Sequence, residues 1–142
     1  MKSEKGVTLI SLSIYLIVMV IVVATMAVLS TYFYKNVTSL NENIDAMVEY
    51  TKFSSFFSDE VNHEKIKVLQ CESDGDISYV VFSNNVQYTY VKTNNSIYRN
   101  KVKICKGVDN CSFETSKFND KDIVKVNISI GGRTRNVTYT LK

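Results

Sequence analysis

The sequence predicts an α+β protein in which a long N-terminal helix, membrane-spanning and then amphipathic, packs on an antiparallel β-meander. Two observations predict this class. Val7 to Tyr34 contains no charged residue, and as a helix it would reach ~42 Å, more than the ~30 Å hydrocarbon core of a bilayer. Beyond residue 64 the spacing of apolar residues changes from the helical period to the alternation typical of strands.

The uncharged segment predicts a retained membrane anchor. A cleaved secretory signal has an apolar stretch of roughly 7–15 residues before a small-residue cleavage site, and Val7 to Tyr34 is far longer. Lys2 and Lys5 precede it, which favours a cytoplasmic N-terminus. We therefore expect everything after Lys35 to lie outside the cytoplasmic membrane.

Past the membrane the helix is predicted to continue to about Asp59 with one apolar stripe. Five residues recur at spacings of three and four: Val37, Leu40, Ile44, Met47 and Val48. Tyr50, Phe53 and Phe57 point to a different face, so the helix is either buried on two sides there or broken near Ser54. We expect the amphipathic half to cover the apolar face of the sheet.

The rest of the chain predicts consecutive β-hairpins. Apolar and polar residues alternate in short runs, and pairs of Asn or Gly residues separate several of them. The predicted strands are 65–71, 77–82, 86–91, 96–104, 124–130 and 137–141, with turns at 73–76, 84–85, 93–95 and 131–132. A loop is expected between residues 105 and 123.

The first residues carry a family resemblance. Lys5-Gly6-Val7, followed by a long uncharged helix, resembles the class III signal of type IV pilins and pseudopilins. The resemblance implies that a prepilin peptidase cuts after Gly6 and methylates the new N-terminus at Val7. Three further residues match the common pattern of the signal: Thr8, Leu9 and Ile10.

Ser11 departs from that pattern, because the family usually has Glu at this position. The family's carboxylate is thought to pair with the methylated amine of a neighbouring subunit, whereas a serine supplies no charge. Two interpretations stay open: a minor subunit at the filament tip, or a minor pilin elsewhere in the fibre. An ordinary signal anchor with a chance Gly6 is the third.

The resemblance implies four segments and a set of partners. The segments are a leader at 1–6, a transmembrane and filament-packing helix at 7–34, an amphipathic helix at 35–64 and a β-sheet head at 65–142. The partners are other pilin subunits, the prepilin peptidase, an inner-membrane assembly platform and membrane lipid before assembly. The layout around Ile97–Arg99 and the hairpin at Gly131-Gly132 are similar to J-type or competence F-type pseudopilins, which favours a minor subunit.

Three cysteines lie outside the membrane on this topology, where disulfides form. Cys105 and Cys111 flank a short segment that could close into a disulfide, leaving Cys71 unpaired. Cys71 could instead pair with either of the others.

The sequence predicts no enzyme, metal site or cofactor. The chain has no C-x-x-C motif, and its single histidine, His63, lies in a Glu-rich segment that we expect to be exposed. The net charge of +3 indicates solubility rather than polyanion binding. Arg133, Arg135 and Lys142 make a small basic end that could touch DNA, but a solvated strand edge carries the same charges.

Two classes of function follow. The first is a minor pilin or pseudopilin, a structural subunit of a type IV filament or of a related secretion or DNA-uptake machine. It would begin in the cytoplasmic membrane and end in an extracellular filament. The alternative is a signal-anchored single-pass protein that displays an extracytoplasmic binding domain.

Processing distinguishes the two classes. We expect the intact mass of the protein from its native membrane to match Val7 to Lys142 plus one methyl group. Gly6→Val should abolish the cleavage, because the peptidase of the family requires the glycine before the cut. An uncut mass starting at Met1, in cells with active prepilin peptidase, would contradict the pilin prediction.

Overall fold

The structure, a computed structural model, describes residues 4–119 and 121–141, with side chains from residue 8 onward. It consists of two units divided after Asn41. The elements are one helix, α1 (Glu4–Val61), and eight strands, β1 (Val68–Asp74), β2 (Ile77–Phe82), β3 (Gln87–Val91), β4 (Ser96–Arg99), β5 (Val102–Lys106), β6 (Val108–Phe118), β7 (Lys121–Ile130) and β8 (Arg133–Thr140), with a short 3-10 turn at Lys92–Asn94.

The first unit contains α1 up to Asn41. All its described side chains are exposed. Four side-chain hydroxyl groups donate hydrogen bonds to backbone carbonyls of the preceding helical turn. The Ser13 hydroxyl donates to the Leu9 carbonyl at 2.9 Å, and the other donors are Thr25, Thr31 and Thr38. This bonding lets polar side chains sit in an apolar helix without an outside partner.

The second unit confirms the α+β class, with consecutive antiparallel hairpins. The meander divides into a five-stranded sheet of order β1-β2-β3-β4-β5 and a three-stranded sheet of order β6-β7-β8. The sheets approach each other where the Ser73 hydroxyl bonds both the N–H (3.0 Å) and the carbonyl (2.9 Å) of Phe113. A side chain of β1 thus replaces backbone pairing with β6.

Two predicted elements need correction. The predicted strand 96–104 is two strands, β4 and β5, because Asn100 and Lys101 both adopt positive φ (46° and 73°) and turn the chain into a hairpin. The predicted loop 105–123 contains the end of β5, all of β6 and the start of β7. Beyond Phe113 the side chains of β6 are exposed, so no apolar alternation marked this strand.

One boundary also differs from the predictions: the first strand begins at Val68 rather than at 65. The helix ends at Val61, close to the predicted end near Asp59. The predicted turn at Gly131-Gly132 is confirmed, with φ of 58° and 71°. A Cβ on Gly131 would lie 3.0 Å from the Cβ of Ala46, so glycine there also allows the turn to approach α1.

The core of the second unit is built around Phe57, whose side chain is fully buried. Five aromatic rings surround it with centroids at 5.0–5.9 Å: Phe53, Phe82, Tyr88, Phe113 and Tyr139. These rings come from α1 and from both sheets. One helix side chain therefore joins both sheets into a single core.

Phe57→Ala is expected to lower the free energy of unfolding by about 3–5 kcal/mol, because it leaves a cavity at the centre of this aromatic cluster. Urea unfolding of the full chain in detergent micelles measures the change. Phe56→Ala is the matched control: the neighbouring ring is 46% exposed, and its removal should change stability by no more than about 0.5 kcal/mol. Equal losses in the two variants would contradict the assigned rotation of the helix.

Candidate assembly surface on the N-terminal helix

Within the second unit, α1 buries the face that carries Phe53 and Phe57. Phe53, Phe57 and Val61 are all at most 2% exposed, and Ala46 and Tyr50 pack against the same core. These positions recur at three- and four-residue spacings, so they form one side of the helix. The sheets are covered by this side and not by the stripe containing Ile44, Met47 and Val48, and α1 does not break near Ser54.

Two buried glutamates fix this rotation of the helix. The first, Glu49, is 8% exposed and accepts a hydrogen bond from the backbone N–H of Lys106 at 2.9 Å and one from Lys52 Nζ at 2.7 Å. Burial alone would raise the pKa of Glu49, but the hydrogen bonds from Lys52 and Lys106 outweigh it and hold the pKa below its ordinary value of 4.5. The ionised carboxylate therefore ties α1 to the edge strand β5.

The second, Glu60, is 2% exposed and binds strand β4 and the turn between β2 and β3. Arg99 Nη2 donates to Glu60 Oε2 at 2.8 Å, and Asn84 Nδ2 donates to Glu60 Oε1. Nearby, the Tyr88 hydroxyl donates to the Phe56 carbonyl at 2.9 Å, and burial raises the pKa of Tyr88 to about 12. These bonds hold the last turns of α1 at one rotation.

The opposite side of α1 is an apolar surface that nothing in the second unit covers. Four large apolar residues on it are 46–57% exposed: Ile44, Met47, Val48 and Phe56. With Thr51, Ser55 and Lys52, whose ammonium pairs with Glu49, they line an open groove of about 490 Å³. We call these seven residues the exposed helix face. Contiguous apolar surface of this kind marks an interaction site in a soluble domain.

In the first unit the exposed side chains are those of a membrane span. Leu9 to Val23 includes large apolar residues that are 45–68% exposed, and within the described residues α1 alone is long and apolar enough to cross a membrane. Tyr32, Phe33 and Tyr34 are 66–74% exposed and directly precede Lys35. Aromatic residues followed by a positive charge are typical of the membrane–water interface.

The signal residues lie at the start of α1. The backbones of Lys5, Gly6 and Val7 are helical, while their side chains and the leader residues 1–3 fall outside the described part of the chain. Leu9, Ile10 and Ser11 have exposed side chains on the apolar helix, and so does Thr8. Cleavage, methylation and the role of Ser11 stay predictions.

The cysteines are free thiols in the structure. Cys105 lies in β5 and Cys111 in β6; both are 1% exposed and belong to the core. Burial raises the pKa of both thiols, that of Cys105 to about 12. Cys71 is half-buried on β1 and donates to the Phe113 carbonyl at 3.3 Å. The Cys105–Cys111 disulfide stays a prediction.

Of the three basic residues Arg133, Arg135 and Lys142, Arg135 packs against the helix. The Arg135 guanidinium lies 4.0 Å from the ring centroid of Tyr50, so it packs on α1 as a cation–π contact. Arg133 is exposed, and Lys142 lies outside the described residues. His63 is exposed, and across the described residues no three His, Cys, Asp or Glu side chains group closely enough to hold a metal ion.

No family model, curated protein or solved structure matches the chain.

Because of Glu49, the free energy of unfolding should decrease as the pH becomes acidic. Its pKa is lowered by folding, so its contribution is complete above pH 4.5 and is lost as the pH falls through the folded-state pKa. We expect Glu49→Gln to cost about 1.5–3 kcal/mol at neutral pH and to weaken the loss of stability on acidification. Urea unfolding across this pH range measures both effects. Glu42→Gln, an exposed position on the same helix, is the control; a wild-type acid profile in Glu49→Gln would contradict the assignment.

Proposed function

We propose that the chain is a minor type IV pilin or pseudopilin: a membrane-anchored subunit, processed after Gly6, that joins a type IV filament or a related secretion or DNA-uptake machine. The observation that carries the proposal is the exposed helix face. It adds a second apolar surface to a helix that already contains a complete membrane span.

The number of exposed apolar residues exceeds what a membrane anchor needs. About 20 apolar helical residues cross a bilayer, and Val7 to Tyr34 supplies more than that. Exposed large apolar residues nevertheless recur further along α1, from Val37 through Val48 to Phe56. A single-pass receptor does not need these exposed apolar residues. Burying them against a partner would be favourable by about 25 cal/mol for each square ångström of apolar surface removed from water.

The spacing of these residues indicates what covers them. Ile44, Val48, Thr51 and Ser55 recur at intervals of three and four, which is the pattern that packs against another helix. Small hydroxyl residues beside large apolar ones allow close approach of a second helix. The covering partner on this proposal is the N-terminal helix of another filament subunit.

The same spacing continues the sequence resemblance. The uncharged segment supplies packing inside the membrane and in the filament core, and the exposed helix face extends that packing beyond the lipid. Ser11 removes the need for a neighbouring charged amine within the apolar zone. These features support a minor subunit; the processing predicted at Gly6 is required by the proposal and distinguishes it from an ordinary signal anchor.

Introducing a lysine in place of Val48, on the exposed helix face, tests the proposal. Val48→Lys should lower recovery of the chain in sheared filaments of its host by at least about tenfold, since burying an unpaired charge costs several kcal/mol. Because Val48 is 46% exposed, the substitution should leave unfolding free energy and processing unchanged. Western blotting of filament and membrane fractions measures the distribution.

Val102→Lys is the matched control. Val102 is 66% exposed on β5, so the same change is made away from the helix and recovery in filaments should match the wild type. Normal incorporation of Val48→Lys would contradict helix-mediated assembly. Failure of both variants to leave the membrane would show that the effect is not specific to the exposed helix face.

A further inference from the structure

The outward face of the five-stranded sheet carries one row of side chains that crosses every strand. Consecutive cross-strand partners from β1 to β5 are Glu72, Tyr79, Thr89, Tyr98 and Lys103. The residues on either side of Tyr79 and of Thr89 along their strands are buried. The row therefore lies on the face directed away from the core.

Two tyrosines in this row form an aromatic platform. Tyr79 and Tyr98 are each paired with Thr89, so they lie two strands apart, about 9.5 Å at ordinary strand spacing. The Lys103 ammonium lies 5.8 Å from the centroid of the Tyr98 ring, so Tyr98 offers a ligand the side toward the small Thr89. Both tyrosines are partly exposed, and a tyrosine ring offers an apolar face together with a polar edge.

Hydrogen bonds hold both rings at their outer ends. The Tyr79 hydroxyl donates to Glu72 Oε2 at 2.6 Å and accepts from Gln70 Nε2 at 2.8 Å. The Tyr98 hydroxyl accepts from Asn94 Nδ2 at 3.3 Å. These bonds reduce the freedom that the rings would lose on binding a ligand, which favours affinity.

Carboxamide side chains surround the platform beside Tyr98. An open depression of about 680 Å³ is lined by Thr89, Val91, Tyr98, Lys101 and four carboxamides: Asn85, Gln87, Asn94 and Asn100. Each carboxamide both donates and accepts hydrogen bonds. Such a lining suits a ligand with many hydroxyl groups rather than an apolar peptide side chain.

The charges on this face are mixed. Glu72 stands at one end of the tyrosine row and Lys103 at the other. Lys101 borders the depression beside Tyr98, and Asp76 pairs with Lys92 at 3.5 Å. A groove for single-stranded nucleic acid combines aromatic rings with a strongly positive lining. The mixed signs favour an uncharged ligand.

We propose that this face binds an uncharged linear oligosaccharide, with pyranose rings stacked on Tyr79 and Tyr98 and sugar hydroxyls bonded to the carboxamides. The distance between the two tyrosines is close to the length of two linked sugar units, so the rings stacked on Tyr79 and Tyr98 would be separated by one sugar. The proposed binding goes beyond filament assembly and does not depend on it, because none of these residues belongs to the exposed helix face.

Titration of the full chain in phospholipid nanodiscs tests the proposal, since detergents with sugar head groups would compete. The probes are cellohexaose, the N-acetylglucosamine hexamer and a thymidine hexanucleotide, each followed by isothermal calorimetry into the millimolar range. We expect at least one hexasaccharide to bind and the hexanucleotide not to. Tyr98→Ala should weaken hexasaccharide binding at least about tenfold, because it removes one stacking surface.

Two variants keep this test specific. Tyr98→Phe retains the ring, so it should bind within about threefold of the wild type and report on stacking even if the alanine variant unfolds. Phe118→Ala removes a ring that is 66% exposed on β6 and should leave binding unchanged. The proposal is overturned if neither hexasaccharide binds, if Tyr98→Ala binds like the wild type, or if the hexanucleotide binds instead.

Discussion

Burial of one side of α1 against two β-sheets is the constraint on which the second unit depends. The Phe57 ring contacts rings from both sheets, and no other described side chain combines so many aromatic neighbours. The buried carboxylates of Glu49 and Glu60 add directional bonds to β5, Arg99 and Asn84. Apolar burial supplies the stability, while these bonds select one rotation of the helix.

That rotation of the helix leaves its opposite, apolar side exposed. Turning the Phe53 and Phe57 side inward leaves Ile44, Met47 and Val48 in contact with solvent. An isolated domain would gain solubility from polar residues at those positions. Their apolar character supports an interaction outside the chain, and a filament subunit offers a neighbouring helix to provide it. On the proposed function, assembly and folding would use opposite sides of the same helix segment.

The two surfaces proposed to act outside the chain are built differently. The exposed helix face is apolar and helical, which suits a partner that excludes water along its length. The face around Tyr79 and Tyr98 is polar, hydrogen-bonded and carried by a sheet that the helix braces from behind. A substitution on the exposed helix face should therefore affect the proposed assembly and not the proposed oligosaccharide binding, and a substitution at Tyr98 should do the reverse.

The sequence by itself determined a helix long and apolar enough to span a membrane, the α+β class and several turns, because these depend on local properties: absence of charge, apolar period, and Asn or Gly at positive φ. It also separated Phe53 and Phe57 from the stripe containing Val48. Only the tertiary structure decided which of these two sides is buried, since both are apolar and periodic. Long-range hydrogen bonds to Glu49 and Glu60 determine which side is buried. Pairing with β7 makes β6 a strand, although its own residues show no apolar alternation that would predict one.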